Sequence, residues 1–589
     1  MANPGYLLYR SITDDNGDQF VPVTLTPTED QREKIVLAKP CVIPVLFLPG
    51  IMGTNLRKKE GKDIAWRPPN MDLRGAADAI SQLFNYLFKN AKDRANDLST
   101  ATVEVDPTGP IDSGRSGLPR NVLVARGWGA LMRSSYHPFM GELQHHLNSL
   151  AEFDFERCVA DLKGWATEDG QSPPSDWGAD RGEALTREEI LHAANYQFDV
   201  WAGGYNWLQS NRDSGAAIKD LIEKTILPFY NEGRTVVAED TPDGEGGNHC
   251  CIRRRKPGRP IAEKVIVVTH SMGGLVSRAL TEIHACDKVL GVSHGVQPAT
   301  GAPATYKRMR AGFEGMEQVV LGRNAAEVVA VLSQAPGGLE LLPTADYNDG
   351  QPWLKVRERK GVKETLALPK HGDPYSEIYL SRAWYGLVPD RNLGMLSPSS
   401  SASVTIGSDK GDPLYKLKRA IGGVALFHQD IKARYKKPTY IHYGAQGHRV
   451  SGSDPGGLLG TGLMADKSRF SWGEIAWQGP GVGIHGPDDL VITSDDGNGT
   501  LRTSKGLLLT LAPPDEPGDG TVPMQSGAAP AKAHIEMSFS HGQDCPGARN
   551  TIFGYDHQSS YADKRSLYAT MYAIVKIAQQ AQWHKKESA

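Results

Sequence analysis

The chain has 589 residues, 39% hydrophobic and 23% charged, a balance that describes a soluble globular protein with material for a large core. Lys+Arg 65 against Asp+Glu 68 leaves a net charge of −3, so no global field favours nucleic acid. No run approaches the roughly 18 apolar residues that a membrane span needs. The six cysteines, Cys41, Cys158, Cys250, Cys251, Cys286 and Cys545, make no disulfide framework in so long a chain, and none has metal-ligand spacing. Met1 to Tyr6 carries neither the basic region nor the apolar stretch of a secretory signal, so synthesis in a reducing cytoplasm is the expectation.

Residues 1–39 read as an N-terminal extension, with turn signals at Asp14-Asp15-Asn16-Gly17 and a strand near Gln19 to Leu25. A first core segment, 40–57, opens with the apolar run Cys41 to Leu48 and passes into Pro49-Gly50-Ile51-Met52-Gly53-Thr54. An early strand followed by a Gly-rich loop is where an α/β-hydrolase builds half of its oxyanion hole, and the backbone N–H of Ile51 is the candidate donor. A tight turn with no chemical role is the plainer alternative. Residues 58–191 look like a first cap insertion. There Ile80, Leu83, Phe84, Leu87 and Phe88 fit an amphipathic helix, the face of a lid or of a cap core. A second helix is expected from Tyr136 to Leu150, with Phe139, Leu143 and Leu147 inward; the adjacent His145 and His146 point apart and make a poor metal pair.

The core resumes over 192–296. Tyr205-Asn206-Trp207-Leu208 precedes a helix that turns Ala217, Ile218, Leu221, Ile222 and Ile226 inward. After a basic loop, Arg253 to Lys256, comes the stretch on which the chain turns. Val265 to Val268 is a β-branched run expected as a parallel strand buried on both faces, and from Met272 Leu275, Val276, Ala279, Leu280 and Ile283 fall on one helical face. Between them stands Ser271, flanked by Thr269 and Gly273, a nucleophile elbow G-x-S-x-G with Thr in the first glycine's place. The N–H of Met272, next after the serine, is the second candidate oxyanion donor.

Lys288 to Ser293 reads as a further strand, and 297–437 as a second, helical cap insertion interrupted by Pro and Gly. The final segment, 438–589, holds a strand at Thr439 to Tyr443, then a β-rich excursion, then a closing helix with Leu567, Met571, Ile574, Val575 and Ala578 on one face. In the excursion Ser494 to Gly499 resembles a calcium loop but lacks its bidentate Glu, so a hairpin turn explains it better. A serine nucleophile needs a base, and the base an acid to fix its tautomer. In this fold the order is Ser, acid, His. The acid is expected at Asp519, in Gly518-Asp519-Gly520-Thr521-Val522-Pro523, with Asp515 and Glu516 as competitors. His557, just before the last helix, is expected as the base, with His541 the runner-up and His534 also available. The fold expected is therefore α/β, an α/β-hydrolase core with two large cap insertions. No metal or organic cofactor is required.

The segments V-L-F-L-P-G-I-M-G-T-N-L-R, Y-N-W-L, V-V-T-H-S-M-G-G and G-D-G-T-V-P, with Leu339-Glu340-Leu341-Leu342-Pro343, resemble the lecithin:cholesterol acyltransferase-like and GPI-inositol deacylase-like lipases. The missing signal peptide, the size and the caps look most like bacterial type VI secretion lipase effectors. Human-type members of the wider group carry signal peptides and disulfides that this sequence lacks. The resemblance implies a serine phospholipase acting on membrane phospholipids and delivered by a type VI secretion component into a target cell's periplasm. It also implies an immunity protein as partner. Acyl transfer by the same three residues is one alternative function, and an inactive scaffold that binds lipid or protein is another.

Overall fold

In the computed structural model the apolar run at 41–48 is strand β1 (Cys41–Leu48), buried along its whole length. The structure describes residues 41–67, 97–154, 159–231, 261–313, 322–358, 364–388, 413–446, 470–479, 487–542 and 555–583, with short strands within 7–36 and 240–250. The side chains of β1 alternate between two cores. Cys41, Ile43, Val45 and Phe47 join one hydrophobic cluster, and Val42, Leu46 and Leu48 the other. A strand covered on both faces keeps no polar side, hence the continuous apolar run. Each such side chain contributes about 1.5–3 kcal/mol on burial.

From β1 the chain runs through helix α1 (Arg133–Leu147), β2 (Tyr196–Ala202), α2 (Asn211–Leu221), β3 (Val265–His270), α3 (Gly273–Arg278), β4 (Val289–Gly295) and α4 (Pro303–Ala311). Strands β5 (Leu354–Arg357) and β6 (Glu364–Leu368), helix α5 (Pro413–Ile431) and β7 (Thr439–Gly444) follow. The last part holds β8 (Ile475–Gln478), β9 (Ile492–Asp495), β10 (Thr500–Thr503), β11 (Leu508–Leu511), β12 (Met537–His541) and α6 (Lys564–Ala578).

The central sheet has the order β2-β1-β3-β4-β7-β12, and every neighbouring pair is parallel. Parallel neighbours need crossovers over a face of the sheet. One face is covered by α1 and α6, whose Phe139, Leu143, Leu147, Met571, Ile574, Val575 and Ala578 are buried with the β1 residues of that side. Leu567, expected inward, packs at the edge of this cluster and is only partly buried. Gln144 of α1 also bonds the sheet backbone directly. Its Nε2 donates to Phe198 O at 3.0 Å and its Oε1 accepts from Val200 N at 2.8 Å. The other face carries α2 and α3 through Ile218, Leu275 and Val276.

A second sheet, order β6-β5-β8-β11-β10-β9, joins two segments that the sequence keeps far apart. The stretch 297–437, expected to be helical, supplies β5 and β6, and β5 pairs parallel with β8 from the excursion after β7. Trp353, Leu354 and Val356 bury against the same core as Ile475 and Trp477. The run Ser494 to Gly499 is the end of β9 and the turn into β10, and its carboxylates bond their own backbone. Asp495 Oδ1 accepts from Gly497 N at 2.8 Å and Asp496 Oδ1 from Asn498 N at 2.7 Å. Near the N-terminus, Ile12–Thr13 pairs antiparallel with Gln19–Phe20, and the expected turn at Asp14 to Gly17 lies outside the described residues. The apolar stretch Ile80 to Phe88 and the basic run Arg253 to Lys256 lie outside the described residues. No described helix is long and apolar enough to cross a membrane.

Candidate active site

Strand β3 ends at His270 and helix α3 begins at Gly273, which leaves Ser271 in the turn at φ 53. That region is costly for a residue with a Cβ and is kept only where surroundings enforce it. Here Ser271 N donates to Gly295 O and Gly274 N donates to Ser271 O, both at 2.9 Å. The turn also needs neighbours without side chains. A Cβ on Gly273 would stand 2.5 Å from Leu48 O, and one on Gly50 would stand 3.0 Å from Ser271 Cβ. Thr269 fits in the first glycine's place because its buried hydroxyl has a partner, His294 Nδ1 at 2.9 Å.

The loop before α6 brings His557 to the serine. His557 Nε2 is 2.8 Å from Ser271 Oγ, and its Nδ1 is 2.8 Å from Asp519 Oδ2. A serine hydroxyl that donates to Nε2 requires the imidazole proton on Nδ1, facing the carboxylate. The second oxygen of Asp519 accepts from Thr521 N at 3.0 Å and Val522 N at 2.7 Å, and His557 N donates to Asp519 O at 2.8 Å. The acid comes this close because β7 ends in Gly444, where a Cβ would lie 2.7 Å from Asp519 Cβ. The Asp519 side chain is 1% exposed and that of His557 13%, so the base alone of this pair reaches the cleft.

The competing residues stand elsewhere. Asp515 Oδ1 accepts from Gly473 N, and Glu516 Oε1 accepts from Gln525 N. His541 is buried with its Nδ1 2.9 Å from the Tyr555 hydroxyl, and His534 is exposed. Ile51 lines the cleft over Ser271, and Met272 is the cap residue just before α3. Among the described residues neither backbone N–H has an acceptor. The neighbouring Gly50 N–H is taken, donating to the Tyr136 hydroxyl at 3.2 Å.

Sequence reasoning missed what Tyr136 does. Its hydroxyl stands 3.1 Å from Nδ1 of His270, whose Nε2 lies 2.9 Å from His557 O. A carbonyl only accepts, so Nε2 carries the proton and Nδ1 accepts from the tyrosine. Burial, and then the neighbouring His557 imidazole, push the pKa of His270 down to about 3, so this ring stays neutral. The cleft over Ser271 and His557 encloses about 110 Å³. Its walls are mostly apolar, with Ile51, Met52, Phe313, Leu332, Leu341 and Val522, and Arg308 stands among them. No motif flagged Arg308; the one signal was a basic run, Lys307 to Arg310, on a helix that follows the core strand β4.

A parallel sheet with a serine at a strained strand–helix turn, followed in the chain by an aspartate and the histidine hydrogen-bonded between them, defines an α/β-hydrolase. No protein-family model and no curated protein matches the chain. Among solved structures it is similar to a chain of "The crystal structure of Tle4-Tli4 complex", with 39% identity over 92% of this chain and 99% of that one, and a TM-score of 0.75. The chain belongs to the type VI lipase effector family represented by Tle4.

Proposed function

We propose that this protein is a serine phospholipase that cleaves acyl esters of membrane phospholipids. The observation that carries the reading is the hydrogen-bonded row Ser271, His557, Asp519 at the floor of an apolar cleft. His557 takes the Ser271 proton as Oγ attacks the ester carbonyl, and Asp519 holds the imidazole and stabilises its cationic form. The N–H groups of Ile51 and Met272 receive the charge on the tetrahedral oxygen, at about 3–4 kcal/mol per donor. His557 then protonates the leaving alcohol. Water, activated by the same base, releases the fatty acid from Ser271.

Kinship with Tle4, which was solved in a complex with Tli4, supports delivery by type VI secretion into a target cell's periplasm, with an immunity protein in the producer. Ser271→Ala is expected to abolish turnover of a short p-nitrophenyl ester and labelling by a fluorophosphonate, with the melting temperature preserved. Wild-type protein sent to a bacterial periplasm on an added signal peptide is expected to kill, and the Ser271→Ala variant to be harmless. Full ester turnover by the variant would overturn the serine mechanism, and equal toxicity of the two proteins would overturn the phospholipase role.

A further inference from the structure

We infer that Gly338 sets the acyl-chain preference of this hydrolase: having no side chain, it keeps open the end of the cleft that receives a long chain. The inference rests on the serine-hydrolase reading above. Gly338 lies in the short helix Pro336–Leu339 beside a second glycine, and the two are there for different reasons. A Cβ on Gly337 would stand 2.4 Å from Gln209 O and 2.6 Å from Trp207 O, so a close backbone requires that glycine. No backbone crowds Gly338. The nearest atoms to a Cβ there are side-chain tips, Leu332 Cδ2 at 2.9 Å and Ile51 Cδ1 at 3.7 Å. Its own backbone is helical, with its N–H donating to Ala335 O at 2.9 Å, and alanine suits such a turn better than glycine does. What Gly338 preserves is therefore space. Gly338, Leu332 and Ile51 all line the cleft over Ser271, so the space belongs to the cleft.

The direction of attack assigns the two halves of the ester to the two sides of the cleft. The leaving oxygen takes its proton from His557, so the alcohol half lies toward the base and acid loops, where Gln558 and Thr521 offer polar groups. The carbonyl oxygen turns to the N–H groups of Ile51 and Met272. The acyl chain then runs away from His557, along the wall that carries Ile51, Leu332 and Gly338, and the apolar side chains of that wall suit a hydrocarbon. A methyl group at 338 would either enter the cleft or push Leu332 into it, because Leu332 is otherwise packed in the core. Both outcomes shorten the cleft. Each methylene of the chain that loses its place lowers kcat/KM about fourfold.

The test measures kcat/KM for p-nitrophenyl butanoate, octanoate and palmitate in detergent micelles. For the unaltered protein the value is expected to rise along the series. Gly338→Ala is expected to leave butanoate little changed and to lower palmitate roughly 4- to 15-fold, the effect of one or two methylenes, with the melting temperature preserved. Adding Leu332→Val, which removes the Cδ2 that the new methyl meets, is expected to recover part of the palmitate loss. An equal loss on every ester, or a fall in melting temperature that accounts for the loss, would assign Gly338 a structural task and overturn the inference. An unchanged chain-length profile would overturn it too, as would a preference of the unaltered protein for butanoate. Turnover of none of the esters by the unaltered protein would instead remove the serine-hydrolase reading, and this inference with it.

Discussion

His270 and Ser271 are neighbours in sequence, yet they do different work at the turn. Ser271 points into the cleft, while His270 spans from the Tyr136 hydroxyl to the His557 carbonyl and so links the Gly50 loop, the elbow and the base loop. Those three segments carry the candidate oxyanion donor, the candidate nucleophile and the candidate base. A shift in any of them stretches the 2.8 Å contact between Nε2 and Oγ. His270→Leu removes the donor to His557 O and is expected to lower kcat about 5- to 30-fold, the effect of one lost hydrogen bond, with KM little changed. His270→Gln, whose amide N–H can reach the same carbonyl, is expected to recover part of it. Burst kinetics with a p-nitrophenyl ester would read the acylation step directly, and a change in KM alone would refute this positioning role. Ser271, Asp519 and His557 were legible because each sits in a short motif whose spacing reports a turn. His270 stood in the same motif, but its partner is a carbonyl 287 residues away, and local spacing carries no trace of that contact.

At the scale of elements, Leu339-Glu340-Leu341-Leu342-Pro343 has a physical task that its sequence pattern alone does not disclose. Leu339 and Leu342 are buried in the core and Leu341 lines the cleft. Glu340 turns the other way and closes the start of α2. Its Oε2 accepts from Asn211 N and Asn211 Nδ2, and its Oε1 accepts from Ser210 Oγ, all at 2.7 Å. Ser210 in turn caps the helix through Arg212 N. Glu340→Ala strands those buried donors and is expected to cost about 3 kcal/mol in urea unfolding, and Glu340→Gln about 1 kcal/mol. Equal midpoints for wild type and Glu340→Ala would dismiss the capping role. Strands β1, β3, β4 and β7 were legible as apolar runs because both faces of the central sheet are covered. Of the second sheet, the strands after β7 were legible as a β-rich excursion with a hairpin at Ser494 to Gly499, but the joining of β5 and β6 to them was not. Its strands have four or five residues, and β5 finds its parallel partner β8 more than a hundred residues away, so neither periodicity nor turn chemistry marks the pairing.

Across the whole molecule, histidine is the residue whose burial sets the response to acid. Burial pushes His137 and His428 down to about 4, His270, His294 and His442 to about 3, and His541 well below its ordinary value. In the unfolded chain each takes a proton near pH 6.5, whereas the native chain refuses it until much lower. Between those limits the unfolded state binds more protons, so stability is full above about pH 6.5 and falls as pH drops. Each histidine contributes about 1.4 kcal/mol per pH unit there, and six together about 8 kcal/mol per unit. Glu340 acts in the opposite sense. Burial raises its carboxyl to about 7, so its contribution is present below about pH 4.5 and lost as pH rises through 7; burial pushes Glu516 up as well, so these two carboxyls stand against six imidazoles. A net stability of about 5–15 kcal/mol is then exhausted within roughly two units of pH 6.5. Tryptophan fluorescence followed against pH at low salt should show a cooperative unfolding between about pH 4 and 5.5, because several buried tryptophans, Trp128, Trp201, Trp207, Trp353 and Trp477, report on both cores. A native spectrum retained at pH 3.5 would mean that the buried imidazoles find room to protonate in place.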